Sequence, residues 1–116
     1  MSQWKINDLE FEVLMDDADF MERYESAFSK LEEKEKTLMK AGKASDIVRD
    51  YCKMFYSLFD DIFGENTGNK LFKGRMSASL CEEVYESFIE HCSNEAKRIA
   101  MRKQKMLNKY KPKRGK

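Results

Sequence analysis

ASDIVRDYCKMFYSLFDDIFG, residues 44–64, decides the fold. Ile47, Val48, Tyr51, Cys52, Met54, Phe55, Leu58, Phe59, Ile62 and Phe63 recur along it at helical spacing and cover much of the circumference. The pattern predicts a helix opened by Ala44 or Ser45 and stopped by Gly64. A helix apolar on so many sides belongs at the centre of a core or of an assembly.

Towards the N-terminus, Phe20, Tyr24, Phe28, Leu31 and Leu38 recur at near-helical spacing with charges between them. They predict a first helix over roughly 17–41, capped by Asp16 or Asp17 and stopped by Gly42. Before it, QWKINDLEFEVLM alternates: Trp4, Ile6, Leu9, Phe11 and Val13 are separated by polar residues, with Asn7-Asp8 placed to turn the chain. A short hairpin, roughly 3–7 and 9–14, is expected, and it must pack on the helices or on a partner's sheet because two strands alone are marginal.

Towards the C-terminus, GENTGNKLFKGRM (64–76) reads as an ordered loop or a helical turn anchored by Leu71 and Phe72. Ser77 or Ser79 caps a third helix, with Glu82 and Glu83 near capping-box spacing. Leu80, Val84, Phe88, Ile89, Cys92, Ala96 and Ile99 form its stripe, and the helix extends to about residue 109. The closing KPKRGK is expected to be disordered. The fold class is therefore mainly α: a three-helix domain with a short N-terminal β-hairpin and a basic C-terminal helical extension. The domain covers residues 1–96, with its hairpin within 3–14, and the extension covers 97–116.

Charge divides the chain in the same place. Residues 1–95 hold all 21 acidic groups and 12 basic ones, a balance of −9, while residues 96–116 hold 10 basic groups and no acid. Charged residues make up 37%, well above the usual quarter, which fits long helices with wide solvated faces. The start, MSQWKINDLEFEV, lacks the basic segment and apolar run of a signal peptide, and no apolar stretch is of membrane-spanning length. Cys52, Cys81 and Cys92 are odd in number and unpaired in spacing, which points to reduced thiols in a cytosolic compartment.

The residues of catalysis and metal binding are sparse. His91, the single histidine, adjoins Cys92, but neighbours on a helix point about 100° apart and do not face each other. Cys81 and Cys92 share a face but stand about 16 Å apart along it, too far for one ion. Asp16-Asp17-Asp19 and Asp60-Asp61 are not followed by an EF-hand loop, and GENTG lacks the GK[ST] ending of a phosphate loop. No enzyme, cofactor or metal is expected.

The basic segment carries Lys97, Arg98, Arg102, Lys103, Lys105 and Lys109, followed by Lys111, Lys113, Arg114 and Lys116. It suits nucleic acid by counterion release, an acidic protein surface, the chain's own acidic body, a second copy, or simple solubilisation. Tyr110 is its one aromatic, which gives base stacking little support. Eight methionines suit either an adaptable interface or the filling of a core.

FDDIFGENTGNKLFKGRMSASLCEEVYESFIEHC (59–92) joins an aromatic helix ending Asp-x-x-Phe-Gly-Glu, a polar loop, a Leu-Phe pair, a glycine and a Cys-x-x-x-Tyr-x-x-Phe helix. This resembles the small tail assembly chaperones of long-tailed phages and prophages of Gram-positive bacteria. The opening hairpin and the acidic helix with Tyr24-Glu25 are similar too, so the order of elements matches over most of residues 4–92. The sharp motif is Asp60, Phe63, Gly64, Glu65, Leu71, Phe72 and Gly74. The resemblance implies a noncatalytic chaperone in the bacterial host's cytoplasm that binds the tape-measure protein and recruits tail-tube subunits. Self-association is expected, with Phe55, Phe59, Phe63, Gly64, Leu71 and Phe72 as anchors of a core or protein interface. The alternatives are a small nucleic-acid-binding or regulatory protein using the basic segment, and a phage-encoded inhibitor of a host protein.

Overall fold

In the computed structural model, which describes residues 2–110, the 44–64 segment is indeed the central helix. The elements in order are β1 (Gln3–Ile6), β2 (Leu9–Glu12), α1 (Ala18–Lys36), α2 (Ala44–Phe63), α3 (Thr67–Phe72) and α4 (Ala78–Lys109). The chain is mainly helical with a two-stranded N-terminal hairpin. Helix α2 buries Cys52, Met54, Phe55, Leu58, Phe59 and Ile62, and α1, α3 and α4 all pack against it.

The hairpin pairs Ile6 with Leu9 across Asn7-Asp8, and Asn7 takes a φ of +55°. Asparagine is among the few non-glycine residues that tolerate that region. The strands are shorter than the alternation suggests, although Val13 N–H still donates to the Ser2 carbonyl beyond the ladder. The hairpin packs on the helices through Trp4, which is 2% exposed. The indole lies among Phe11, Phe59, Phe63 and Phe88, with ring centroids 5.0–6.2 Å away. Its Nε1 donates to Ser87 Oγ at 3.1 Å, so the one polar atom of the indole is satisfied where it enters the core.

Asp17 caps α1, its carboxylate accepting from Phe20 N–H. The helix ends at Lys36 with Thr37 as C-cap, well before Gly42. Beyond it, Asp50 of α2 accepts from Met39 N–H and draws the segment away from a helical course. Ser77 caps α4 and accepts from Leu80 N–H. Leu80 thereby occupies the third position of the helix, so neither Glu82 nor Glu83 closes a capping box onto Ser77.

The 64–76 segment contains the short helix α3, which makes four helices where the periodicity outlines three long ones. Gly64, at φ +116°, ends α2, and Thr67 Oγ1 donates to its carbonyl. Asp60 Oδ1 accepts from Gly68 N–H at 2.7 Å. Gly68 lies so close to α2 that a Cβ there would meet Tyr56 Cα at 3.0 Å and Cδ2 at 2.9 Å.

Helix α4 runs without a break across residue 97, where the sequence placed the start of the extension, and its burial continues past that point. Ile99 is its last buried residue, and residues 100–109 are all exposed. This end projects from the body. The molecule measures 70 × 32 × 21 Å with a radius of gyration of 18.2 Å, against about 13 Å for a compact chain of about 100 residues. The expected disorder of 111–116 lies outside the described residues.

Candidate docking surface

The residues singled out as anchors fall into two groups. Phe55, Phe59, Leu71 and Phe72 are in the core, 0–4% exposed, and a partner reaches them only if the domain opens. Phe63 is half-buried and Gly64 exposed, and both border an open depression of about 440 Å³ between the hairpin and α1. There Arg23 Nε donates to the Ile62 carbonyl at 3.2 Å. Most of the Asp-x-x-Phe-Gly motif thus builds the corner between α2 and α3: Asp60 ties it, Gly64 turns it, and Leu71 and Phe72 seat it.

The surface most suited to another molecule lies between α1 and α4. Both helices rest on α2, but their backbones do not approach closely. Aromatics bridge the gap, with half-buried Phe28 6.4 Å from half-buried Tyr85 and half-buried Tyr24 6.3 Å from buried Phe88. Two adjoining depressions share Tyr85: one of about 470 Å³ runs along α1 up to Tyr85, and one of about 520 Å³ is lined by α4 alone, Lys97 included. Their apolar floor is Tyr24, Phe28, Leu31, Tyr85 and Ile89, and their acidic rim is Glu25, Glu32, Glu35, Glu86 and Glu90. Burial together with nearby Glu35 raises the Tyr85 phenol above its usual range, so the tyrosine stays neutral in this acidic setting.

The second surface is the projecting end of α4. Met101, Met106, Leu107 and Tyr110 are 54–68% exposed. The six cations singled out on this helix behave differently. Arg98 Nε donates to Glu95 at 2.5 Å within α4, and Arg102 Nη2 donates to Asp16 at 2.8 Å, which fastens the helix to the body. Lys97, Lys103, Lys105 and Lys109 make no ion pair among the described residues, and Lys109 lies over the Tyr110 ring at 5.5 Å.

His91 is a structural residue in this arrangement: its Nε2 shares a 2.5 Å hydrogen bond with buried Ser2 Oγ. One turn on, buried Glu95 bonds Arg98, and the guanidinium holds its carboxyl below the usual range. Ser2, Glu95, Arg98, Asp16 and Arg102 surround a cavity of about 100 Å³. Spacing along α4 can place His91 and Glu95 on one face, but nothing in the local pattern shows that Ser2 joins them.

The three cysteines are free and buried. Burial raises the Cys81 and Cys92 thiols to about 12, which makes them poor nucleophiles. No group of three or more His, Cys, Asp or Glu residues is placed to hold a metal ion among the described residues. Among those residues, too, no helix is long and apolar enough to cross a membrane.

The family model that matches this chain, over residues 7–116, is that of a family of unknown function (DUF6673), and the chain belongs to that family. No curated protein and no solved structure matches it.

Proposed function

We propose that this protein is a noncatalytic assembly chaperone that holds helical segments of another protein, with a phage tape-measure protein as client and tail-tube subunits as further partners. The observation that carries the reading is the pairing of an aromatic-floored, acid-rimmed groove with a projecting helix that is both apolar and cationic. Apolar grooves receive amphipathic helices, and exposed methionines adapt to varied apolar partners. The resemblance of residues 59–92 supplies the client's identity. Co-expression tests it: a tape-measure protein should become more soluble and copurify with the chain, and Phe28→Glu or Leu107→Asp should reduce that yield. Unchanged client solubility with no copurification would count against the reading.

A second reading has its own observation. Lys97, Lys103, Lys105 and Lys109 lie on exposed helix, and no acid follows Glu95. The protein would then bind nucleic acid through phosphates, with affinity falling steeply with salt. Lys103→Gln, Lys105→Gln and Lys109→Gln together should flatten the salt dependence. This substitution is a cleaner test than deleting residues 97–116, which also removes buried Ile99 and the Arg98–Glu95 pair.

A further inference from the structure

We propose that the projecting end of α4 docks into the α1–α4 groove of a second copy, reciprocally, to make a two-fold symmetric dimer. This goes beyond the chaperone reading and does not depend on any client.

The groove and the projecting segment complement each other in two ways. The groove offers Tyr24, Phe28, Leu31, Tyr85 and Ile89 between the acids Glu25, Glu32, Glu35, Glu86 and Glu90, with the cation Lys97 at one end, so acids outnumber cations five to one. The segment offers exposed Met101, Met106, Leu107 and Tyr110 among cations and no acid. It cannot supply its own groove. Helix α4 is continuous to Lys109, and no glycine or proline between Ala78 and Lys109 would let it fold back along itself. The occupant therefore comes from another molecule.

The spacing along α4 fits a second copy in particular. Tyr85, Ile89, Ala96, Ala100 and Leu107 are separated by four, seven, four and seven residues, which keeps them on one face of the helix. An antiparallel pair of α4 helices crossing at Ala96 places each Leu107 against the other copy's Tyr85 and Ile89. Ala96 and Ala100 are small and exposed, so the helices can approach closely where they cross. In this arrangement Met106 and Tyr110 turn towards the other copy's α1, at Tyr24 and Phe28, and the cations run among its rim acids. A cationic helix from an unrelated protein would match the charge but not this repeat about Ala96.

Sedimentation of the full chain over a concentration series tests the proposal. A monomer–dimer equilibrium is expected, weakening as salt is raised. Leu107→Asp should weaken dimerisation at least tenfold with unchanged circular dichroism, because Leu107 is 66% exposed. A charge exchange separates docking from loss of fold. Glu86→Lys with Glu90→Lys, and Lys103→Glu with Lys105→Glu, alter exposed side chains and should each weaken the dimer when alone. Mixed, the two variants should associate again, because each reversed segment then meets a reversed groove. A chain that stays monomeric at several hundred micromolar in low salt overturns the proposal. So does a dimer indifferent to Leu107→Asp, or one whose charge variants fail to associate when mixed.

Discussion

The two halves of α4 share one backbone conformation and have opposite surroundings. Residues 78–99 bury Cys81, Val84, Phe88, Cys92, Glu95 and Ile99, whereas residues 100–109 bury nothing. The first half is held by packing. The second is helical because propagation from an existing helix is cheap and AMRKQKMLNK is made largely of strong helix formers. On this helix an apolar residue identifies the core only where a partner element faces it. Phe88 and Leu107 are both apolar residues of α4, yet one is 0% exposed and the other 66%.

The packed half should respond most to Phe88→Ala. It removes a ring within 6 Å of Trp4, Phe59 and Phe63 and should cost about 3–5 kcal/mol, read from urea denaturation. Gly68→Ala comes next. Its Cβ has no room against Tyr56, α3 must move off α2, and a loss of about 1–3 kcal/mol is expected. Glu95→Gln probes the margin between the halves and should cost about 1 kcal/mol at neutral pH, because Arg98 remains partly in water. Its sign with pH follows from the lowered carboxyl. The contribution is present above the unfolded value of about 4.3 and lost as pH falls through the lower folded value. The native chain should therefore lose more stability than Glu95→Gln between pH 7 and pH 3. Leu107→Ser is smallest, within about 0.5 kcal/mol by thermal unfolding at concentrations too low for self-association. A large effect there in the monomer would mean that the projecting end packs after all.

Elements governed by near neighbours were legible in the sequence. The α2 run, the Asn7-Asp8 turn and the Gly64 stop each follow from residues within a few positions of one another, while the same local pattern left Ser77 and Ser79 both open as the cap of α4. What failed to show depends on distant partners. The end of α1 is affected by Asp50, eleven residues beyond Met39. The Ser2–His91 contact spans 89 positions. The groove was hidden for a related reason: Tyr24, Phe28 and Tyr85 follow the same helical spacing as core aromatics, and only the separation of α1 from α4 leaves them half-open. The Asp60-x-x-Phe63-Gly64 motif was visible as a pattern, but its chief work is to build a corner through the Asp60 contact to Gly68, which pattern alone does not distinguish from a contact surface.

Trp4 completes its aromatic cluster with Phe88, 84 positions later. During synthesis the hairpin is among the first segments made, yet its docking site is not complete until α4 has been translated. At ~5–20 residues per second, that interval is roughly 4–17 s. Until α4 emerges, the hairpin's apolar face has only α1 and α2 to cover it. A nascent chain stalled before residue 88 should leave Trp4 open to a fluorescence quencher, and one extended past α4 should shield it.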